Sequence, residues 1–288
     1  MLFTLSILNG LTLASLLLII ASGLTLSFSL MRVVNLTHGA YYLLAGFTGF
    51  SIYQATDSWM LGLIGASLGI AFLAFVQERM LLRRGRGNDL VETLISLSVA
   101  IILGDVIQVI WGGFPQRMRP PELLRGSTQL PVFGTPFPRF RIFVIVVAVV
   151  LLILLWLLLQ KTNIGIRIRA GVDDFHMTEA LGINVGRVFT LVFALSGFLA
   201  GLGGMIGGTY MALVLGEDWR VLSLTLVVII IGGLGSLKGT VAGALIVGLV
   251  YSISSAYVPV MSGVFLFLPV AIVLTVRPQG LFGKELKL

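Results

Sequence analysis

Apolar residues run along this chain in long stretches, at roughly residues 6–30, 38–56, 59–80, 91–112, 141–160, 188–214, 221–235, 240–257 and 263–276. Runs of about 18 or more such residues are long enough to cross the ~30 Å hydrocarbon core as helices, where backbone polar groups must be satisfied within the segment. The pattern predicts an all-α polytopic membrane protein forming a single domain over residues 1–288. It has eight or nine transmembrane helices, depending on how the last short stretches count.

Composition points the same way. Hydrophobic residues make up 57% of the 288 and charged residues 11%, with a mean hydropathy of +1.06; soluble chains carry about 25% charged residues. There is no cysteine, so disulfides and thiolate metal sites are excluded. The formal charge of +7 does not suggest nucleic acid, because the basic residues are spread over short loops, as on the cytoplasmic face of a membrane protein. No Lys or Arg precedes Arg32, so the basic n-region of a signal peptide is missing and the first stretch is expected to stay as a span.

The basic loops set the orientation. Arg79, Arg83, Arg84 and Arg86 form one cluster, Lys161, Arg167, Arg169 and Arg187 a second, and Arg277, Lys284 and Lys287 a third. Two spans separate the first pair and four the second, so all three fall on one side, which positive-inside logic makes cytoplasmic. The loop at 113–140 is then external, although Arg117, Arg119, Arg125 and Arg139 lie in it and Arg141 at its edge. Rich in Pro and Gly and without a clean period, it reads as an irregular loop, either a cap over the outer mouth or a docking ledge for an external partner.

Between two oily stretches, residues 161–187 form a charged cytoplasmic loop, KTNIGIRIRAGVDDFHMTEALGINVGR. Asp173 or Asp174 can N-cap a short helix, Phe175, Met177, Ala180 and Leu181 fall near one face, and Gly182 supplies the stop. His176 and Glu179 point elsewhere. The preceding IGIRIR alternates apolar and basic residues, as an interfacial stretch does when arginines reach toward lipid phosphates. A capped amphipathic helix of about two turns results, serving either as a passive connector or as a knob for a cytosolic partner.

Three stretches carry a family resemblance. RAGVDDFHMTEALGINVGRVFTLVFALSGFLAGLGG, with Glu179 to Asn184 at its core, resembles the cytoplasmic loop signature of ABC importer permeases of the branched-chain amino acid (leucine/isoleucine/valine) type. MRVVNLTHGAYYLLAGF resembles the family's N-F/L-x-H-G stretch between its first spans, and IGGLGSLKGTVAGALIVGL its G-G-x-G-S-x-x-G stretch near the end. The matches keep their order over most of the chain, and the length resembles that of the shorter partner of the permease pair. The resemblance implies that Asp173, Asp174, Phe175, Met177, Glu179, Ala180, Leu181 and Gly182 form a coupling helix set into a cytosolic ATP-binding subunit. It also implies a second permease subunit, an external solute-binding protein, alternating access, and residence in the plasma membrane of a prokaryote, the bacterial inner membrane. Leucine, isoleucine or valine is the implied solute, with urea or short amides as the alternative. The resemblance raises Asn35, His38 and Tyr42, at the break between the first two spans, to pathway candidates.

Other polar and small residues fit this frame. GGLGSLKGT invites a phosphate-loop reading, but that motif needs G-x-x-x-x-G-K-[ST], and here Lys238 precedes Gly239 with no Gly before it. The chain is therefore expected not to hydrolyse ATP itself, and no cofactor is expected. Ser196, Ala200, Gly204 and Gly208 form one four-residue ladder with Gly197 and Gly201 beside it, and Gly239 and Gly243 begin another. Such spacing lets helix backbones approach closely, within the subunit or at a seam with a second permease. Asp105 and Gln108 share a face inside the fourth span and either line a solvated path or satisfy each other and a neighbouring helix. Asp89, Glu92 and Thr93 open that span as caps or interface residues. The stretches 11–50 and 221–250 share a layout of oily run, short break and second oily run, as a diverged repeat does.

Two rivals are weaker. An intramembrane enzyme needs a nucleophile or metal set, yet His38 and His176 are the only histidines and no H-E-x-x-H occurs. An ion-coupled secondary carrier would have to work through Asp105 without a partner network.

Overall fold

The computed structural model describes residues 2–31, 33–130 and 135–283. Lys284 and Lys287 of the third basic cluster, residues 131–134 of the outer loop, and the side chains of Phe175 and His176 lie outside the described residues.

Each apolar stretch is a helix. In order these are α1 (Leu2–Met31), α2 (Thr37–Thr56) and α3 (Trp59–Gln77), which runs through a π-turn at Glu78–Leu82 into the single turn α4 (Arg83–Gly85). There follow α5 (Asp89–Trp111), α6 (Arg139–Lys161), the short pair α7 (Asn163–Asp173) and α8 (Phe175–Ala180), then α9 (Val185–Tyr210), α10 (Glu217–Gly232), α11 (Leu237–Tyr257) and α12 (Ser262–Val276). Side-chain caps explain many of the starts. Ser58, Asn88, Thr162, Asp174, Asn184 and Ser236 each accept a backbone amide of the first turn that would otherwise stay unpaired.

Among the described residues, 7 helices are long and apolar enough to cross a membrane. The remaining two of the nine are α2, whose first turns carry Thr37, His38, Tyr41 and Tyr42, and α10, whose 16 residues extend about 24 Å at ~1.5 Å per residue. Both lie inside the bundle. α9 is the hub, largely buried, and it packs on α3, α2 and α1; α12, almost wholly uncovered, lies at the periphery.

Small residues make this packing possible. A Cβ at Gly201 would stand 2.7 Å from Ser67 Cα on α3, one at Gly197 would meet Ala74, and one at Gly204 would stand 2.1 Å from the carbonyl of Tyr42 on α2. Gly208 faces Leu213 and Met118. Across the α10–α11 turn, a Cβ at Gly239 would stand 2.1 Å from the Gly232 carbonyl, and one at Gly243 2.1 Å from that of Val228. Backbones that touch gain dispersion and weak hydrogen bonding that lipid cannot supply. Four helices interlock: α1 packs on α11, with Thr25 and Thr240 hydroxyls 2.7 Å apart, and α2 packs on α10, where Gly39 meets the Asp218 backbone.

The two ends of the bundle differ. At one, Ser29 contacts Gly235, Arg83 and Arg86 approach Gly186, and the basic clusters gather. At the other, Ser252 bonds the Ser6 carbonyl, Arg141 bonds Asn9, the Trp59 indole donates to Thr209 (2.9 Å), and the Trp111 indole to Ser51 (2.7 Å).

Several details differ from the sequence expectation. The 113–140 loop contains an antiparallel hairpin, β1 (Ser127–Leu130) with β2 (Thr135–Pro138), preceded by a 3₁₀ turn at Glu122–Leu124. Strands of four residues, the second with two prolines, leave no readable period. Three of the loop's arginines are tied down there: Arg125 to Glu122 and the Pro120 carbonyl, Arg139 to Thr128, Arg141 to Asn9 and the rings of Phe137 and Tyr210. The stretch expected to run through 214 ends as a helix at Tyr210, and Leu213 instead pairs with Gln116 of the outer loop. IGIRIR, expected as an alternating interfacial stretch, is helical, with Ile168 and Gly165 turned inward.

Candidate functional site

At the basic end, α7 and α8 form an elbow outside the bundle. Thr162 Oγ1 accepts the Gly165 amide (3.1 Å) to start α7, and Gly165 is required because a Cβ there would stand 2.3 Å from the Leu158 and Leu159 carbonyls at the end of α6. Arg169 donates to the Leu159 carbonyl, placing a cation at the negative end of that helix. Of the two capping candidates, Asp174 is the cap: its Oδ1 accepts the Met177 amide at 2.9 Å, while Asp173 lies exposed one residue before.

α8 is six residues long, close to the two turns expected: the chain leaves the helix at Leu181 and Gly182 takes φ +81, the left-handed conformation that closes helix ends. Thr178 faces inward and its hydroxyl donates to the Asp174 carbonyl (2.6 Å). The opposite side is open: Met177 is 60% exposed and Leu181 74%, with Glu179 and Ala180 beside them. Between α7 and the start of α9 a groove of about 320 Å³ is lined by Ile164, Arg167, Ile183, Arg187 and Leu191.

Behind the elbow lies a polar knot that the sequence reading missed. Glu78, in the π-turn that ends α3, has a side chain with no exposed surface. One carboxylate oxygen pairs with the Arg86 guanidinium and the other accepts from the Thr190 hydroxyl on α9. Arg86 also lies 4.4 Å from the centre of the Phe189 ring, and Thr190 bonds the Gly186 carbonyl at 3.0 Å. The knot therefore ties the end of α3 to the first turns of α9, directly after the elbow. The signal was present in the sequence, as Gln77-Glu78 interrupts an otherwise oily run.

The start of α2 is the second polar region. Asn35 Oδ1 accepts the Thr37 amide (3.1 Å), the Thr37 hydroxyl donates to the Ser96 carbonyl (2.8 Å), and Gln77 Nε2 donates to the Thr37 hydroxyl (2.9 Å). Tyr41 closes the chain by donating to Gln77 Oε1. This buried network joins α2, α3 and α5, which the apolar pattern could not reveal. His38 is fully buried and its Nε2 meets the Ile20 carbonyl at 2.9 Å; Tyr42 is buried against Gly204 and Gly207 of α9. Among the described residues, His38 Nδ1, Asn35 Nδ2 and Ser196 Oγ are buried without a hydrogen-bond partner. The His38 ring and the Ser196 carbonyl both border Gly23, so α1, α2 and α9 meet here around unspent polar capacity.

Asn35, His38 and Tyr42 are thus neighbours along one buried helix start. Asp105 and Gln108 are elsewhere, exposed on α5 among Ile101, Ile102, Val106 and Val109. The GGLGSLKGT segment is a tight interhelical turn. Ser236 Oγ accepts the Gly239 amide (3.1 Å), and the Leu281 and Phe282 amides bond the Ile231 and Gly232 carbonyls, which ties the turn to the segment after α12.

A family model described as "Branched-chain amino acid transport system / permease component" matches residues 6–276. The chain is 27% identical to the high-affinity branched-chain amino acid transport system permease protein LivH of Salmonella typhimurium, over 96% of this chain and 94% of that protein. It is 25% identical to BraD, a permease of the same description from Pseudomonas aeruginosa, over 96% and 94%. A probable branched-chain amino acid transport permease, LivH of Methanocaldococcus jannaschii, is 27% identical over 95% and 90%. No solved structure matches the chain.

Proposed function

The chain belongs to the family of permease components of branched-chain amino acid transport systems, and from that membership we propose that it is the membrane subunit through which an ATP-driven importer passes leucine, isoleucine or valine. It works with a second permease subunit, cytosolic ATP-binding subunits and an external solute-binding protein, in the plasma membrane of a prokaryote. The basic end is cytoplasmic and the hairpin end external.

The observation that carries this reading is the elbow at residues 163–182. A rod capped at Asp174 and stopped at Gly182 packs its Thr178 side inward and leaves Met177 and Leu181 exposed. Exposed apolar anchors on a rigid element are what a partner's pocket takes as a hot spot. Motion of the ATPase pair pushes the rod, the Glu78 knot passes the displacement to α3 and α9, and these reorient around the polar start of α2. The push is productive only because the two conformations hold the solute differently. Asn35, His38 and Tyr42 belong to that path. Asp105 and Gln108 turn an acid and an amide outward from α5, where lipid contact would cost roughly 2.5 to 3.5 kcal/mol on insertion scales; that face meets a solvated path or the second permease.

The test is reconstitution. With ATP-binding subunits and binding protein, leucine uptake should require ATP; uptake by this chain alone under an ion gradient would instead establish the carrier reading.

A further inference from the structure

At the hairpin end, α10 opens with a charged cluster that the path described above leaves out. Arg220 Nη1 donates to Glu217 Oε1 (2.8 Å) and its Nη2 to the Tyr251 hydroxyl on α11 (2.9 Å). The Arg220 side chain is 45% exposed and that of Glu217 15%. The buried Tyr42 hydroxyl lies within electrostatic range of both charges, which joins the cluster to the start of α2. On its other side, Tyr210 is within range of Tyr251 and of Arg141.

The cluster is recessed. The Asp218 carbonyl packs on Gly39, the third residue of α2, and Tyr251 lies six residues before the end of α11, or about 9 Å at ~1.5 Å per residue. A guanidinium half in the open at such a depth is costly toward hydrocarbon and belongs against water. Its depth also keeps it from the broad surface of a globular protein, while a small solute can reach it.

The chemistry fits one class of solute. Arg220 has five N–H donors in a planar fork, and Glu217 and Tyr251 occupy two, leaving others for a carboxylate. Glu217 retains an oxygen that can accept from an ammonium. Opposite charges held side by side match the head of a free amino acid, whose ammonium and carboxylate are separated by one carbon. Trp219, 44% exposed on the same first turn of α10, offers an apolar surface for an aliphatic side chain.

Resting on the transport reading above, we propose that Arg220 and Glu217, braced by Tyr251, hold the carboxylate and ammonium of the incoming amino acid at the outer mouth.

The experiment uses the assembled transporter in proteoliposomes with its external binding protein and radiolabelled leucine. Arg220→Gln and Glu217→Gln should each lower ATP-driven uptake about tenfold or more, the scale of one lost charge-assisted hydrogen bond, with Arg220→Lys recovering part of it. The chain has no native cysteine, so Trp219→Cys reports the site directly. Leucine should slow its labelling by a water-soluble thiol reagent at least about threefold, isobutylamine should not, and the protection should vanish when Arg220→Gln is added. Uptake within twofold of the parent in Arg220→Gln, or undiminished protection, overturns the site and leaves the transport reading standing. Loss of binding-protein capture by Arg220→Gln marks a protein docking point and also overturns it. A parent complex that takes up no leucine overturns both.

Discussion

Arg86 reaches back eight residues to pair with Glu78, whose carboxylate has no exposed surface. A buried carboxylate that loses its cation is left as an uncompensated charge, which costs roughly 3–5 kcal/mol. Arg86→Ala should therefore lower the unfolding midpoint of the purified protein sharply. Glu78→Gln together with Arg86→Ala should recover much of the loss, because the orphaned charge is then gone. Equal midpoints for the single and double variants would dissolve the pair as a structural unit.

Exposure on α8 makes a second prediction. Met177 and Leu181 are four residues apart and open to solvent, so an acid at either leaves the fold untouched while placing charge in an apolar partner pocket. Leu181→Asp should leave membrane insertion and abundance at parental levels and cut leucine uptake about tenfold or more, the scale of a hot-spot loss of ~2 kcal/mol, while ATP hydrolysis continues. Phe175→Asp is expected to behave alike. Normal uptake in Leu181→Asp would remove α8 from the coupling path.

The Asp174 cap is separable from that apolar contact. Asp174→Ala removes the acceptor of the Met177 amide and should weaken α8 by about 0.5–2 kcal/mol, while Asp174→Asn retains most of it. Hydrogen exchange at the Met177 amide reads this directly. Faster exchange in the alanine variant, with uptake reduced in proportion, would tie transmission of the push to the stiffness of the rod.

Much of this arrangement was legible in the sequence because lipid imposes so strong a rule. Among the described residues each of the nine apolar stretches forms a helix, and Gly182 and Asp174 ended and began α8 as turn and cap chemistry require. What escaped was whatever depends on neighbours distant in the chain. Glu78 and Thr190 are 112 residues apart, and Arg220 and Tyr251 31 apart, so no local pattern links them. IGIRIR left its conformation open for a different reason: six alternating residues name no element by themselves, and the Thr162 cap and the Gly165 contact with α6 decide for a helix. Asp105 and Gln108 share a face as their spacing of three requires, but spacing says nothing of which way that face turns.

That outward face makes its own prediction. Because the chain lacks cysteine, Asp105→Cys and Ile102→Cys can be compared as single labels on the same exposed side of α5. In the assembled transporter, a membrane-impermeant thiol reagent should modify position 105 faster than position 102 if the acid lines a solvated path. Crosslinking of position 105 to the second permease, without such labelling, would place the seam there instead. Equal slow labelling with no crosslink would leave Asp105 facing lipid and remove it from the path.

The last prediction concerns the hub. A Cβ at Gly204 would stand 2.1 Å from the Tyr42 carbonyl and 2.8 Å from Ala45 Cβ, whereas one at Gly69 or Gly104 would meet nothing within 4 Å. Backbone cannot retreat as a flexible side chain can, so Gly204→Ala must push α2 away from α9 at the point where Tyr42 and His38 are seated. Overpacking of this kind costs about 1–3 kcal/mol, and here it also shifts the polar start of α2. Gly204→Ala should thus lower both the unfolding midpoint and leucine uptake, while Gly69→Ala and Gly104→Ala, where a Cβ meets open space, should stay near the parent in both. If Gly204→Ala lost stability but kept full uptake, the α2–α9 contact would serve packing alone, and the path would have to run elsewhere.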